Sequence, residues 1–252
     1  MTDRNQKTGI HKTGTLFGVG VGPGDPELLT LKAHRLIASA DVIAYPAPEG
    51  GESFARAIVA ETIPSTAEEI CISVPMTVAR FPARDVYDDA AKSIGAHLRA
   101  GRNVIALCEG DPFFYGSFMY LYERLADAYT IEIIPGVSSL MACAARIKHP
   151  LASRNDVLKI IPAPLPEDRL LAEIENADAA AIIKVGRHFE KVRRVMDRLG
   201  LTLSCGYIER ASLDNEIIKP LAAVDGGDVP YFSMILLYKG AEAWAHAPRL
   251  SA

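Results

Sequence analysis

The sequence has no CxxC pair, and its four cysteines, Cys71, Cys108, Cys143 and Cys205, are scattered. That excludes a zinc ribbon and a thioredoxin-type redox motif. Three of them sit in apolar segments, where a small buried thiol is the usual role. No apolar run reaches the ~18 residues that a transmembrane helix needs. The polar opening, Met1 to Thr13, has no apolar core of the kind a secretory signal carries. We expect a disordered tail there, on a protein of the reducing cytoplasm. The six histidines show no HxxxH spacing, and GxSxG is absent. Neither a helical metal-binding pair nor a hydrolase nucleophile turn is therefore indicated. Cationic charge is also short: 27 Lys and Arg against 31 Asp and Glu leave a net charge of −4, which argues against a nucleic-acid binder. There is no internal repeat and no low-complexity segment. With 49% hydrophobic and 23% charged residues the chain fills a core and is not disordered as a whole. Its 252 residues are long for one domain and natural for two.

The chain reads as strands and helices in alternation. Asn103 to Cys108 carries no charge, as a strand buried on both faces does. Glu109-Gly110-Asp111-Pro112-Phe113-Phe114-Tyr115-Gly116 follows, and then Phe118, Leu121, Tyr122 and Leu125 recur at helical spacing. In an open α/β sheet such a loop lies at the carboxyl end of a strand, where ligands bind; the same residues also read as a tight turn with surface aromatics. Earlier, Leu16 to Gly20 reads as a strand, and a helix ending near Ser39 follows, with Asp25 as N-cap, Pro26 at its first position and Leu28, Leu29, Ala33, Leu36 and Ile37 on one apolar face. Val42 to Tyr45 and Ile70 to Val74 are strand-like, and Val86 to Ala100 is a helix closed by Gly101. Thr130 to Ile134 is a strand ended by Pro135-Gly136-Val137-Ser138-Ser139, with Ser138 as cap of the next helix. In the second half, Val157–Ile161, Ala179–Val185, Ser204–Ile208 and Tyr231–Tyr238 read as strands, with helices at Leu170–Ile174 and Val192–Leu199. The alternation implies an α/β protein with two largely parallel sheets. We place an N-terminal α/β domain at 14–135, a C-terminal α/β domain at 136–242, and a tail at 243–252.

The glycines of Gly18-Val-Gly20-Val-Gly22-Pro23-Gly24-Asp25 invite a dinucleotide reading. GxGxxG fails, because the third glycine would fall on Pro23 or Asp25, and no Gly-Lys-Ser/Thr completes a P-loop. Asp25 beside a helix start would repel a phosphate. A nucleotide-binding oxidoreductase on an ordinary Rossmann fold is the different-class alternative, and the missing fingerprint counts against it. Cys108 as a nucleophile is disfavoured by Glu109 and Asp111 beside it, which raise a thiol pKa. What recurs is strand ends with small or acidic residues, suited to a neutral or cationic ligand with an adenine, a ribose and an amino acid.

Gly18-Val-Gly-Val-Gly-Pro-Gly-Asp-Pro-Glu-Leu-Leu-Thr-Leu-Lys-Ala33 resembles the opening signature of the tetrapyrrole (corrin/porphyrin) methyltransferases. Glu109-Gly-Asp-Pro-Phe-Phe-Tyr115 and Pro135-Gly-Val-Ser-Ser139 resemble their second and third motifs; Ile183-Lys-Val-Gly186 and Glu209-Arg-Ala211 resemble the fourth and fifth. The likeness is ordered and spans residues 14 to 240. It implies two α/β domains with a cofactor cleft between them, S-adenosyl-L-methionine as cofactor, a tetrapyrrole as small-molecule substrate, and a homodimer. Within the family, the phrase Gly110-Asp-Pro-Phe-Phe-Tyr-Gly-Ser-Phe-Met-Tyr-Leu121 and the segment around Val74-Pro75-Met76 are most like members that methylate carbon 20 of precorrin-2. Methylation of the cobalt-bound form, or of another corrin carbon, are the alternatives within the resemblance. Carried over, the cofactor positions are Pro23, Glu109, Gly110, Asp111 and Phe114, then Ser138, Ser139, Val185 and Ala211. Relatives that methylate uroporphyrinogen often carry an acidic residue where this chain has Pro46, so no catalytic base is assigned. A polycarboxylate substrate needs cations despite the net charge, and Arg pairs with carboxylates bidentately. The candidates are Arg80, Arg84, Arg187 and Arg210, with Tyr115 beside the central loop.

Overall fold

The structure, a computed structural model, describes residues 13–75 and 82–246. Arg80, the expected N-terminal tail apart from Thr13, and the last six residues lie outside them. The chain divides into two compact units: one runs to Gly22 and from Pro26 to Val137, the other takes Pro23–Asp25 and everything from Ser138.

The first unit is a parallel sheet with helices on both faces. Its strands are β1 (Thr15–Gly20), β2 (Val42–Pro48), β3 (Glu68–Val74), β4 (Val104–Cys108) and β5 (Thr130–Ile134), in the spatial order β3-β2-β4-β1-β5. Its helices are α1 (Leu31–Ala38), α2 (Phe54–Ile58), α3 (Pro82–Arg99) and α4 (Phe118–Leu125). β4 is central and wholly buried, as its uncharged run requires. Its side chains alternate between two cores. Val104 and Ala106 pack with Ile94 and Leu98 of α3 and with Phe118 and Leu121 of α4. Ile105 and Leu107 pack with Ile37 of α1 and Ile58 of α2. Each fully buried aliphatic side chain of this kind contributes about 1.5–3 kcal/mol. On α4, Tyr122 departs from the expected inward face and is 40% exposed.

Two local corrections follow from hydrogen bonding. Asp25 does not cap α1. Pro26–Leu28 forms a separate 3-10 turn, and Thr30 is the N-cap, its hydroxyl accepting from the Ala33 N–H at 3.1 Å. Strand β2 continues through Pro46 and Pro48, beyond the expected Tyr45. It pairs with β4 only at Ile43 and Ala44, so the prolines fall where one side of the strand is open and no ladder N–H is needed there.

The second unit contains α5 (Ser139–Ile147), α6 (Glu167–Glu175) and α7 (Phe189–Arg198), with β6 (Leu158–Pro162), β7 (Ala179–Ile183), β8 (Cys205–Glu209), β9 (Ile217–Pro220) and β10 (Ser233–Tyr238). The order is β6-β7-β10-β8-β9, and only β6 and β7 run parallel. The expectation of a largely parallel second sheet is therefore wrong. Residues 210–216 are too few for the crossover of a dozen or more residues that a parallel neighbour needs, so β9 returns antiparallel to β8. β10 then inserts between β7 and β8, antiparallel to both. This places the start of β10 beside the carboxyl ends of β7 and β8. The core under this sheet joins Leu170 and Ile174 of α6 and Val192, Val195 and Met196 of α7 to Ile182, Tyr207 and Ile235.

Candidate functional site

In the first unit the loops after β1, β4 and β5 meet backbone to backbone. The Gly110 N–H donates to the Gly22 carbonyl at 2.8 Å, and the Gly22 N–H donates back to Gly110 at 3.3 Å. A side chain on Gly20 would put its Cβ 2.5 Å from the Gly110 carbonyl oxygen and 2.6 Å from the Gly136 nitrogen; one on Gly136 would stand 2.0 Å from that same oxygen. Glycine is required at these points by close approach. At Gly22 and Gly110, with φ of +81° and +61°, the left-handed conformation favours glycine.

Asp111 ties the assembly. Its Oδ1 accepts from the Phe113 N–H at 2.9 Å and its Oδ2 from the Gly136 N–H at 3.1 Å. One carboxylate thus shapes its own loop and holds the loop after β5. Tyr115 sits in the left-handed region at φ +56°, a strained conformation for a side-chain-bearing residue, with its ring edge-on to Phe114. Burial pushes the Glu109 carboxyl above the ordinary carboxylate range. Cys108 is buried and its thiol is pushed up to about 12, chiefly by desolvation, so it is no nucleophile. Residues 20–25, 108–117 and 135–139, which form these loops, contain no Lys or Arg. Arg84 stands apart on α3, where it lines a shallow recess of about 440 Å³ with Asp85, Asp88 and Arg124. Arg124 is itself paired with Asp88 there.

In the second unit Ser138 caps α5, its hydroxyl accepting from the Leu140 N–H at 3.1 Å, and Ser139 is the exposed first residue of the helix. Pro23 is buried, and the Asp25 N–H donates to the Ser212 hydroxyl at 3.2 Å. Val185 and Ala211 are buried just past the ends of β7 and β8. Their neighbours Lys184, Arg210 and Ser212 all have positive φ, at +58°, +49° and +66°. Three side-chain-bearing residues in the left-handed region at the ends of β7 and β8, on either side of β10, mark strain of the kind that collects at functional sites. A hydrogen-bonded chain supports it. The Tyr207 hydroxyl donates to Glu209 Oε1 at 2.6 Å, and Arg210 Nη1 donates to Glu209 Oε2 at 2.9 Å. Burial and the neighbouring Glu209 carboxylate raise the Tyr207 phenol well above its usual range. Arg210 also donates to the Asn215 carbonyl, so its guanidinium is turned onto its own loop. Arg187 is exposed, its Nε donating to His188 at 3.4 Å. Burial, then the charges of Lys191 and Arg187, lower the pKa of His188.

Glu109, Gly110, Asp111, Phe114 and Tyr115 thus share one loop of the first unit, while Val185, Arg187, Arg210 and Ala211 share one end of the second sheet. Sequence reading missed Tyr207 and Ser233 as parts of that end. Both lie within strands and carry no local motif. It also missed the left-handed residues, which no residue type signals when they are Lys, Arg or Ser.

Residues 15–224 match the family model described as Tetrapyrrole (Corrin/Porphyrin) Methylases. Among curated proteins, the chain is 42% identical over 235 residues to the cobalamin biosynthesis protein CobIJ of Mycobacterium tuberculosis, covering 90% of this chain and 46% of that one. The chain thus spans about half the length of these mycobacterial relatives. It is 38% identical over 232 residues to the precorrin-2 C(20)-methyltransferase of a Sinorhizobium species, covering 89% and 95% of the two chains. With the cobalt-precorrin-2 C(20)-methyltransferase of Salmonella typhimurium the identity is 31% over 237 residues, covering 93% and 99%. Among solved structures, the cobalt precorrin-4 methyltransferase CbiF superposes with a TM-score of 0.71 at 23% identity, over 94% of this chain and 97% of that one, a likeness of fold. The ordered strand-end motifs, the family match over residues 15–224 and relatives that run with the chain over most of its length lead to one conclusion: the chain belongs to the tetrapyrrole (corrin/porphyrin) methylase family.

Proposed function

We propose that this protein transfers a methyl group from S-adenosyl-L-methionine to carbon 20 of precorrin-2, giving precorrin-3A on the way to the corrin ring. The reading rests most on the 38% identity with a precorrin-2 C(20)-methyltransferase, spanning 95% of that relative. The lower identity to the cobalt-precorrin-2 enzyme favours the metal-free substrate.

The residues fit the cofactor by the chemistry of their donors. S-adenosyl-L-methionine supplies an activated methyl group on a cationic sulfonium. The loops after β1, β4 and β5 carry Asp25, Glu109 and Asp111 and no Lys or Arg, so nothing in them repels a positive sulfur. We assign Gly110, Asp111 and Phe114, with Glu109 beside them, to the cofactor from the first unit. From the second we assign Pro23, Ser138, Ser139, Val185 and Ala211. The Asp111 carboxylate, which already holds two backbone N–H groups, acts by fixing the loops. With the methyl group already activated, the protein's part is alignment, which supplies up to ~7–11 kcal/mol in favourable cases. Arg84, Arg187 and Arg210, with Tyr115, are the substrate-side candidates. Arg187 is the best placed of the three, because Arg210 is turned onto Glu209 and Arg84 shares its recess with two carboxylates.

The proposal extends to a homodimer of the cytoplasm. Phe113, Met119 and Tyr122 are exposed apolar residues around α4 that suit a subunit contact. Among the described residues no helix is long and apolar enough to cross a membrane.

The test is anaerobic incubation of the protein with methyl-labelled S-adenosyl-L-methionine and either precorrin-2 or cobalt-precorrin-2, followed by mass spectrometry and carbon NMR. One added methyl at carbon 20 of the metal-free form is the expected result. Label at another carbon, or no transfer to either form, overturns it.

A further inference from the structure

The loop before β10 lies beyond residues 15–224, the stretch the family match covers, yet it closes the same end of the second sheet. Because β10 is antiparallel to both neighbours, residues 230–232 are set between the carboxyl ends of β7 and β8. Hydrogen bonds fix the loop on both sides. The Arg210 N–H donates to the Phe232 carbonyl at 2.8 Å, and the Gly186 N–H donates to the Ser233 hydroxyl at 3.4 Å. The Ser233 hydroxyl in turn donates to the Pro230 carbonyl at 2.7 Å. On the β7 side the two backbones are in van der Waals reach: a Cβ on Gly186 would lie 3.5 Å from Tyr231 Cα.

On this fixed backbone the two aromatic side chains face outward. Tyr231 is 62% exposed and Phe232 47%, with their rings 5.2 Å apart and inclined at 76°. Aromatic rings usually bury most of their surface, 150–250 Å² each. An edge-to-face pair presents one ring face for stacking and a second ring as a wall beside it. Arg187, one residue past Gly186, is an exposed cation on the same rim. A flat π-system bearing carboxylates at its edge is the ligand chemistry that fits two adjacent rings and a neighbouring guanidinium. Val185 and Ala211 flank the same loop, one on each strand end.

We propose that Tyr231 and Phe232 form the stacking platform for the tetrapyrrole substrate, with Arg187 holding one of its peripheral carboxylates. This rests on the methyl-transfer reading above and deepens it. The rings supply affinity for the macrocycle and none for the methyl donor.

The experiment uses the whole protein and anaerobically prepared precorrin-2. The parent is assayed first, and absence of methyl transfer would remove the functional reading and the platform with it. With an active parent, Tyr231→Ala and Phe232→Ala should each raise KM for precorrin-2 roughly tenfold, equivalent to about 1.4 kcal/mol. Affinity for S-adenosylhomocysteine, read by calorimetry, should stay within about twofold, and Tyr231→Phe should keep the parent KM, since the ring and not the hydroxyl stacks. Arg187→Gln should raise KM and flatten its dependence on salt. Melting curves of all four variants should match the parent, the altered side chains being exposed. A parent KM in both alanine variants overturns the platform while leaving the methyltransferase reading intact. So does a change in sedimentation of the alanine variants, which would make the rings a contact with a second copy of the chain.

Discussion

Replacing Asp111 separates a residue that touches the cofactor from one that builds its loop. Its carboxylate accepts two backbone N–H bonds, from Phe113 and from Gly136, and so joins the loops after β4 and β5. A hydrogen bond to a charged group contributes about 1.5–3 kcal/mol. The Phe113 side falls at or below the low end, because that residue is exposed and water replaces the acceptor. The Gly136 N–H is half-buried and packed against Gly20 and Gly110, so its loss costs more. Together Asp111→Ala should cost about 2–4 kcal/mol, and at roughly 2–4 °C per kcal/mol for a chain of this size the melting temperature should fall by roughly 5–15 °C. Asp111→Asn keeps one acceptor oxygen and should recover about half of that loss. Affinity for S-adenosylhomocysteine should fall in step with melting across the two variants, because both report the same loop. Circular dichroism melting and isothermal titration measure the two quantities. A variant that melts like the parent but loses affinity would refute the loop-tie reasoning and make Asp111 a direct ligand. Unchanged melting together with unchanged affinity would show that the carboxylate does neither.

Three further predictions come from single contacts. Gly136→Ala places a Cβ 2.0 Å from the Gly110 carbonyl oxygen, and since both partners are backbone, the expected loss exceeds the ~1–3 kcal/mol of ordinary overpacking; a parent-like denaturation midpoint would contradict the close approach. Tyr207→Phe leaves buried Glu209 Oε1 without its donor and should cost about 1–3 kcal/mol in urea unfolding, with a smaller effect if the carboxylate re-pairs with Arg210 alone. His149 is buried, its Nε2 is 2.7 Å from the Ala245 carbonyl, and burial lowers its pKa from 6.5. The unfolded chain therefore takes up the proton first, so this contribution is complete above pH 6.5 and is lost as the pH falls through the folded value below it. His149→Gln should flatten the stability profile below pH 6.5, and identical profiles for the two proteins would exclude the residue as the cause.

Much of this protein was determined by local sequence. The uncharged run at β4 sets a strand buried on both faces, and the helical spacing of Ala90, Ala91, Ile94 and Leu98 sets the buried face of α3. Ser138 as a cap and Gly101 as a helix stop follow from hydrogen bonding and conformation within a few residues of chain. The strand-end motifs that mark the family are likewise short and contiguous. Tertiary structure decided what depends on distant partners. The start of α1 went to Thr30, whose hydroxyl accepts from the Ala33 N–H, while the Asp25 N–H is held by Ser212, remote in sequence. β2 runs through two prolines because its pairing with β4 stops at Ala44. The direction of β9 and β10 was set by connection length and by which edge was open, and alternation of hydrophobic residues is the same for parallel and antiparallel neighbours. The glycines show the division most plainly. Their presence was legible, but that Gly20 and Gly136 must each lack a side chain follows only from three loops, far apart in the chain, meeting at the Gly110 carbonyl oxygen.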